Sequence, residues 1–194
     1  MLSAKKSLGQ HFLTDSSALR AIIEAAHLTS QNTVLEVGPG TGILTAALLQ
    51  TGARVIAIEK DDRLIAPLTA KFQNEIQEKK LELIHDDILN FLETISYRLK
   101  AGYKLIANIP YYLTGQLLRQ FLSNEHQPSL AVLMLQKEVA KRIVAADGKE
   151  SILSISVKAY GIPRYVKTVP AGAFSPRPKV DSAIIAIANI SKNN

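Results

Sequence analysis

Four short apolar runs, each separated from the next by a helix-length stretch, constrain this chain more than any single motif. Residues 33–37, 54–58, 81–85 and 103–107 are mostly apolar, and the first of these runs is largely β-branched. Each stops at a residue foreign to a buried strand: Gly38, Glu59, the pair Asp86 and Asp87, and Asn108. Such runs read as strands buried on both faces. Helical spacing falls around and between them, over 17–28, 43–50, 61–77 and 113–122. Further on, 130–135 reads as a fifth strand, 137–146 and 151–160 as helices, and 164–169 and 179–190 as two closing strands. Pro67 is an awkward interior residue and predicts a bend or late start in the third helix.

This alternation predicts an α/β fold: a mostly parallel, doubly wound sheet of seven strands. No helix separates the last two strands, so the final one is expected to run antiparallel. In open sheets of this kind ligands bind beyond the carboxyl ends of the strands. The four strand stops then share one rim. Neither internal repeats nor a linker divide the chain, so 1–190 reads as one catalytic domain and 191–194 as a frayed tail.

Composition narrows the function classes. The chain has 194 residues, 47% of them hydrophobic, which suffices for a packed core. Its longest apolar runs are too short to span a bilayer, and no secretory signal begins it. There is no cysteine, and the four histidines are scattered, so no metal site is expected and a cytoplasmic location is. A net charge of +6 raises the odds of a polyanionic partner, whereas 6% aromatic residues without tryptophan argue against an extended stacking platform.

The first rim segment is Glu36-Val37-Gly38-Pro39-Gly40-Thr41-Gly42. Gly38, Gly40 and Gly42 let the backbone turn tightly and approach a ligand, while the following helix offers free N–H groups. Ile43 stands where a dinucleotide fingerprint has Gly or Ala, which counts against an NAD-linked dehydrogenase. Glu59, at the second strand's end, can accept from both ribose hydroxyls. Asp87 can accept from an adenine amino group, with Ile88 and Leu89 covering the ring; Asp86 is the alternative, one of the two capping the next turn.

The second rim segment, Asn108-Ile109-Pro110-Tyr111-Tyr112, points to methyl transfer onto an exocyclic nucleobase nitrogen. That nitrogen is a poor nucleophile because its lone pair is delocalised into the ring. Acceptors binding both N–H groups favour a pyramidal nitrogen, and no strong base is needed. The Asn108 amide oxygen supplies one acceptor and a carbonyl beside Pro110 the other, with Tyr111 as a ring face. A base inside a helix must first be flipped out. Phe174, in a proline-stiffened loop, is placed to close the other face, with Arg177 and Lys179 on phosphate. Gly9-Gln10-His11-Phe12-Leu13 reads as neither helix nor strand, and is expected to fold over the cofactor with Leu13 as apolar cover.

These segments resemble the ribosomal RNA adenine dimethyltransferases, a family of Rossmann-like class I methyltransferases that use S-adenosylmethionine. The resemblance rests on Leu8–Leu13, Leu35–Gly42, Glu59, Asp87–Leu89, Asn108–Tyr112, Gln136–Ala140 and Phe174–Ser182, nearly the whole chain. It implies that His11, Leu13, Gly38, Glu59, Asp87 and Asn108 contact S-adenosylmethionine, with segment 1–15 over it, and that Asn108, Tyr111 and Phe174 receive the adenine. The family usually has Asn where this chain has His11. Phe174-Ser175-Pro176 and Val180-Asp181-Ser182 look like the housekeeping branch, which dimethylates two adjacent adenines near the 3′ end of small-subunit rRNA. The other branch modifies one large-subunit adenine and confers antibiotic resistance. The expectation is a monomeric enzyme acting on a pre-assembled small-subunit particle; a ribosome-assembly binding factor is the alternative of another class. The family's small helical domain after the last strand is expected to be absent or truncated, since the chain stops at Asn194.

Overall fold

The computed structural model describes Lys5 and residues 9–92, 99–109, 113–145 and 148–192. One seven-stranded sheet runs through it in the order β4-β3-β2-β5-β6-β9-β7. The strands are β2 (Thr33–Val37), β3 (Arg54–Glu59), β4 (Leu81–His85), β5 (Lys104–Asn108), β6 (Leu130–Gln136), β7 (Ile162–Val169) and β9 (Ser182–Ala188). Strands β2 to β6 pair in parallel. Strand β9 slots between β6 and β7, antiparallel to both. The mostly parallel sheet with a final antiparallel strand is as expected.

Both faces are covered, which is why the strands are apolar on successive residues rather than alternating. On one face α1 (Ser16–Ala26), α2 (Ile43–Gln50) and α3 (Asp62–Lys71) bury Ile22, Leu48 and Leu68 against Val34, Val55 and Ile106. On the other, α5 (Thr114–Ser123), α6 (Lys137–Val144) and α7 (Ile152–Lys158) bury Leu117, Ile143 and Val157 against Leu35, Ile56 and Leu133. Each fully buried Leu or Ile contributes about 1.5–3 kcal/mol. The coverage changes sides between β2 and β5, the point at which such sheets open a crevice.

Three local expectations shift. The third helix does not break at Pro67, which is exposed inside α3, where water can reach the carbonyl its missing N–H leaves over. It breaks at Phe72, and α4 (Gln73–Gln77) follows. Phe72 turns inward, 4% exposed, so packing rather than proline sets the break. The last strand begins at Ser182 rather than 179. Finally, the N-terminal segment contains a strand after all: β1 (Phe12–Leu13) pairs antiparallel with β8 (Phe174–Ser175). Nothing local forecasts this pairing, because its partner lies at the far end of the sequence.

Glu36, in the middle of β2, is wholly buried beneath α2. Neither of its carboxylate oxygens nor the neighbouring Thr45 hydroxyl has a hydrogen-bond partner of ordinary geometry. Burial lifts the carboxyl to about 8, with the charge of Glu59 adding to the effect and Thr45 and Lys71 opposing it.

Candidate functional site

A cleft opens at the carboxyl ends of the central strands. Gly38, Glu59, Asp87, Ile88 and Asn108 line it from the sheet, and His11, Leu13 and Phe174 from the β1–β8 pair. The strand stops read from the sequence therefore do converge on one rim. Pro110 and Tyr111 lie outside the described residues.

The glycine turn is built by backbone geometry. Gly38, Gly40 and Gly42 have φ of 72°, 58° and 74°, in the left-handed region that side chains resist. The Gly38 N–H donates to the Ile58 carbonyl at 2.9 Å and the Gly42 N–H to that of Pro39 at 2.8 Å. Lys71 holds the turn from behind, donating to the carbonyls of Thr41 at 2.9 Å and Gly42 at 3.2 Å. The three glycines differ in what they face. A Cβ at Gly38 would meet nothing within 4 Å, and one at Gly40 would meet the Phe12 ring at 3.0 Å. At Gly42 it would strike the Phe72 ring at 2.6 Å and Leu68 at 2.9 Å. Gly42, expected to shape the ligand pocket, is thus turned toward α3 and is absent from the cleft wall.

Glu59 is 5% exposed. Its Oε2 accepts from the Gly40 N–H at 3.1 Å and its Oε1 from the Asp61 N–H at 2.8 Å. Burial raises its pKa, with those two N–H groups opposing. Each oxygen keeps a second lone pair, so the carboxylate organises the turn and still presents acceptors to the cleft. Asp86 and Asp87 both line the cleft. Asp87 Oδ1 accepts from the Leu89 N–H at 3.0 Å, capping the helical residues 88–92, while Oδ2 pairs with Lys60 at 2.6 Å. Partial burial works against ionisation there, but Lys60 and the Leu89 N–H hold the carboxyl below its ordinary range. The capping task falls on the residue the sequence reading favours for the ligand.

Asn108 ends β5. Its Nδ2 donates to the His11 carbonyl at 3.2 Å, which fixes the amide plane and leaves Oδ1 as the acceptor. The His11 ring meets the Pro176 carbonyl through Nδ1 at 2.8 Å. Thr14 adds two bonds to the Ala173 carbonyl, from N at 2.8 Å and Oγ1 at 3.0 Å. Asp181 steadies the same loop, accepting from the Ala171 N–H at 3.1 Å. Phe174 reaches the cleft but is 5% exposed, packed beside Leu13.

Several contributors escape sequence reading. Gln10 Nε2 donates to Asp61 Oδ2 at 2.8 Å, tying the N-terminal segment to the start of α3. Asp61 is buried and also accepts from Arg63, whose guanidinium holds that carboxyl far below the ordinary range. Leu113 and Met134 add apolar wall. Apart from the local Asp61–Arg63 pair, these depend on contacts between distant segments.

The donor set fits S-adenosylmethionine. A carboxylate sits mid-cleft for hydroxyls, a second carboxylate beside Ile88 suits an adenine ring, and the open space at Gly38 admits the methionine end.

A family model described as ribosomal RNA adenine dimethylase matches residues 1–193. A ribosomal RNA small subunit methyltransferase A of Dehalococcoides mccartyi is 48% identical over 187 residues, 96% of this chain and 63% of that protein. One of Caulobacter vibrioides is 44% identical over 188 residues, covering 95% and 70%. The chain thus spans about 63% of the length of the first of these relatives. Among solved structures, the 23S rRNA methyltransferase ErmE superposes with a TM-score of 0.80 at 28% identity, over 93% of this chain and 70% of that one. A dimethyladenosine transferase from Plasmodium falciparum gives 0.79 at 34%, over 92% and 63%.

Proposed function

This chain belongs to the ribosomal RNA adenine dimethylase family, and on that footing we propose that it dimethylates the exocyclic nitrogen of adenine in small-subunit rRNA. The supporting observation is the shared cleft: the Asn108 amide and the glycine turn face the same space. The relatives at 44% and 48% identity carry a small-subunit name, and this supports that subunit over the large one. The targets on this reading are two adjacent adenines near the 3′ end, presented by a pre-assembled particle to a cytoplasmic monomer.

Glu59 holds the ribose, Asp87 and Ile88 the cofactor adenine, Gly38 and Gly40 the methionine end, and the segment from His11 to Leu13 lies over it. Asn108 Oδ1 accepts one N–H of the target amine, and a carbonyl beside Pro110 accepts the other. Tyr111 and Phe174 stack on the base. Together they hold the nitrogen pyramidal with its lone pair aimed along the cleft, so positioning lowers the barrier. When bound, S-adenosylmethionine supplies an electrophilic methyl carbon, which the nitrogen lone pair takes as the carbon–sulfur bond breaks and the sulfide leaves. The amine then releases its proton to solvent. Exposed Lys141 and Arg142 on α6, and Arg177 and Lys179 beside Phe174, face RNA.

The test is incubation of unmodified small subunits with labelled methyl donor, followed by mapping. Label as dimethyladenosine at two neighbouring positions is expected. Label confined to the large subunit, or absent from adenine, overturns the proposal.

A further inference from the structure

An RNA substrate poses a charge problem for this cleft. Its described walls carry Glu59, Asp86 and Asp87, and Lys60 is the only Lys or Arg among them. A polyanion must be held elsewhere. A recess of about 510 Å³ lies between α1 and the edge strand β7, lined by Arg20, Glu24, His27, Arg164 and Lys167 among others. Arg20 and Arg164 are exposed, and neither forms an ion pair with a described residue. Glu24 is the only acid in the lining.

The fold assembles this cluster by a specific irregularity. Strand β7 slips register against β9 between Tyr165 and Lys167. In a regular strand Arg164 and Lys167 would point to opposite faces. The extra residue flips the alternation, so Arg164, Val166 and Lys167 all face the recess. Lys167 Nζ reaches the Ser17 carbonyl of α1 at 3.4 Å. From Ser17 to His27 the groove runs about 15 Å along the helix. Its Ser17–Lys167 end is joined by chain connectivity to the segments that line the cleft. Thr14, just before α1, bonds to Ala173, and β7 continues through Val169 to Phe174.

We propose that the α1–β7 groove is a second RNA contact, where Arg20, Arg164 and Lys167 hold the phosphate backbone of the molecule whose adenine occupies the cleft. This rests on the RNA reading above. Contacts to phosphate position a nucleic acid without reading its sequence, and they make binding salt-dependent.

The experiment measures binding of a single-stranded, adenine-rich oligoribonucleotide across a series of KCl concentrations. It compares the parent chain, R20Q/R164Q and the charge-matched control K79Q/K100Q, whose residues lie outside the groove. The groove variant should lose about one unit of the slope of log K against log salt per contact, about two in all, while the control keeps the parental slope. Affinity for S-adenosylhomocysteine should be unchanged in all three. If R20Q/R164Q loses that affinity, K167Q carries the test, with a slope change of about one. A parental slope in the groove variants overturns the groove alone, even more so if they lose binding to polyglutamate, which marks an acidic protein as the occupant. A parent chain that binds no RNA overturns the groove and the RNA reading together.

Discussion

On one side of the cleft the polar groups bond to near neighbours in the chain; on the other they bond across nearly all of it. Glu59 takes the N–H groups of Gly40 and Asp61, 19 and 2 residues away, and Asp87 takes that of Leu89, 2 away. Opposite them, Asn108 reaches His11 over 97 residues, Thr14 reaches Ala173 over 159 and His11 reaches Pro176 over 165. The first wall takes shape with the sheet, because its bonds close short loops between adjacent strands. The second exists only when separate segments have met. On the proposed reading the locally braced wall takes the cofactor and the wall assembled at long range takes the adenine, so the two should respond differently to substitution.

The largest expected separation is at Asn108. N108A should lower kcat about 100-fold or more, as loss of a preorganised polar group in an active site does. Its dissociation constant for S-adenosylhomocysteine should change little. Equal losses in both would break the distinction between the walls.

Next comes Glu36, beneath the locally braced wall. Its folded pKa of about 8 lies above the unfolded value of 4.5. The native state then holds a proton that the unfolded chain has lost, so stability falls as pH rises from about 4.5 through about 8. Urea unfolding at several pH values should show this slope, and E36Q should flatten it and be the more stable form above pH 8. A variant with the parental slope would place the buried charge elsewhere.

The glycines sharpen the comparison at smaller magnitude. G42A should cost about 1–3 kcal/mol in thermal or urea unfolding through its collision with Phe72, and leave ligand affinity nearly intact where folded. G38A should cost about 1–2 kcal/mol for its left-handed backbone alone, and weaken S-adenosylhomocysteine binding as well. Calorimetry beside unfolding curves separates the two. Smallest is H11A, which removes the half-exposed ring's contact with the Pro176 carbonyl and should cost about 1 kcal/mol. The backbone carbonyl that Asn108 uses remains.

What could be read from the sequence follows the same division. The strand tips at Gly38, Glu59, Asp87 and Asn108 announce themselves because a glycine or polar residue ending an apolar run is a local signal. The pairing of Phe12 and Leu13 with Phe174 and Ser175 carries no such signal, and the N-terminal segment reads as irregular. The break at Phe72 was equally hidden, because Pro67 is the conspicuous breaker while the cause is a ring filling space behind Gly42. Which face Gly42 serves, and which aspartate caps residue 88, depend on packing that spacing does not express. The bulge in β7 is invisible for the same reason: its cause is register against β9, not composition.

The β1–β8 pairing also sets a schedule. Strand β1 leaves a translating ribosome long before its partner is made, 163 residues later by the register of Phe12 with Ser175. At roughly 5–20 residues per second that interval is on the order of 10–30 s. During it the nascent chain can lay down β2, β3 and β4 and their glycine bend, yet has nothing to clasp Phe12 and Leu13. The cleft is thus closed only once residues 174 and 175 have emerged, and a growing chain halted before them would carry the glycine bend without the strand that pairs with Phe12 and Leu13.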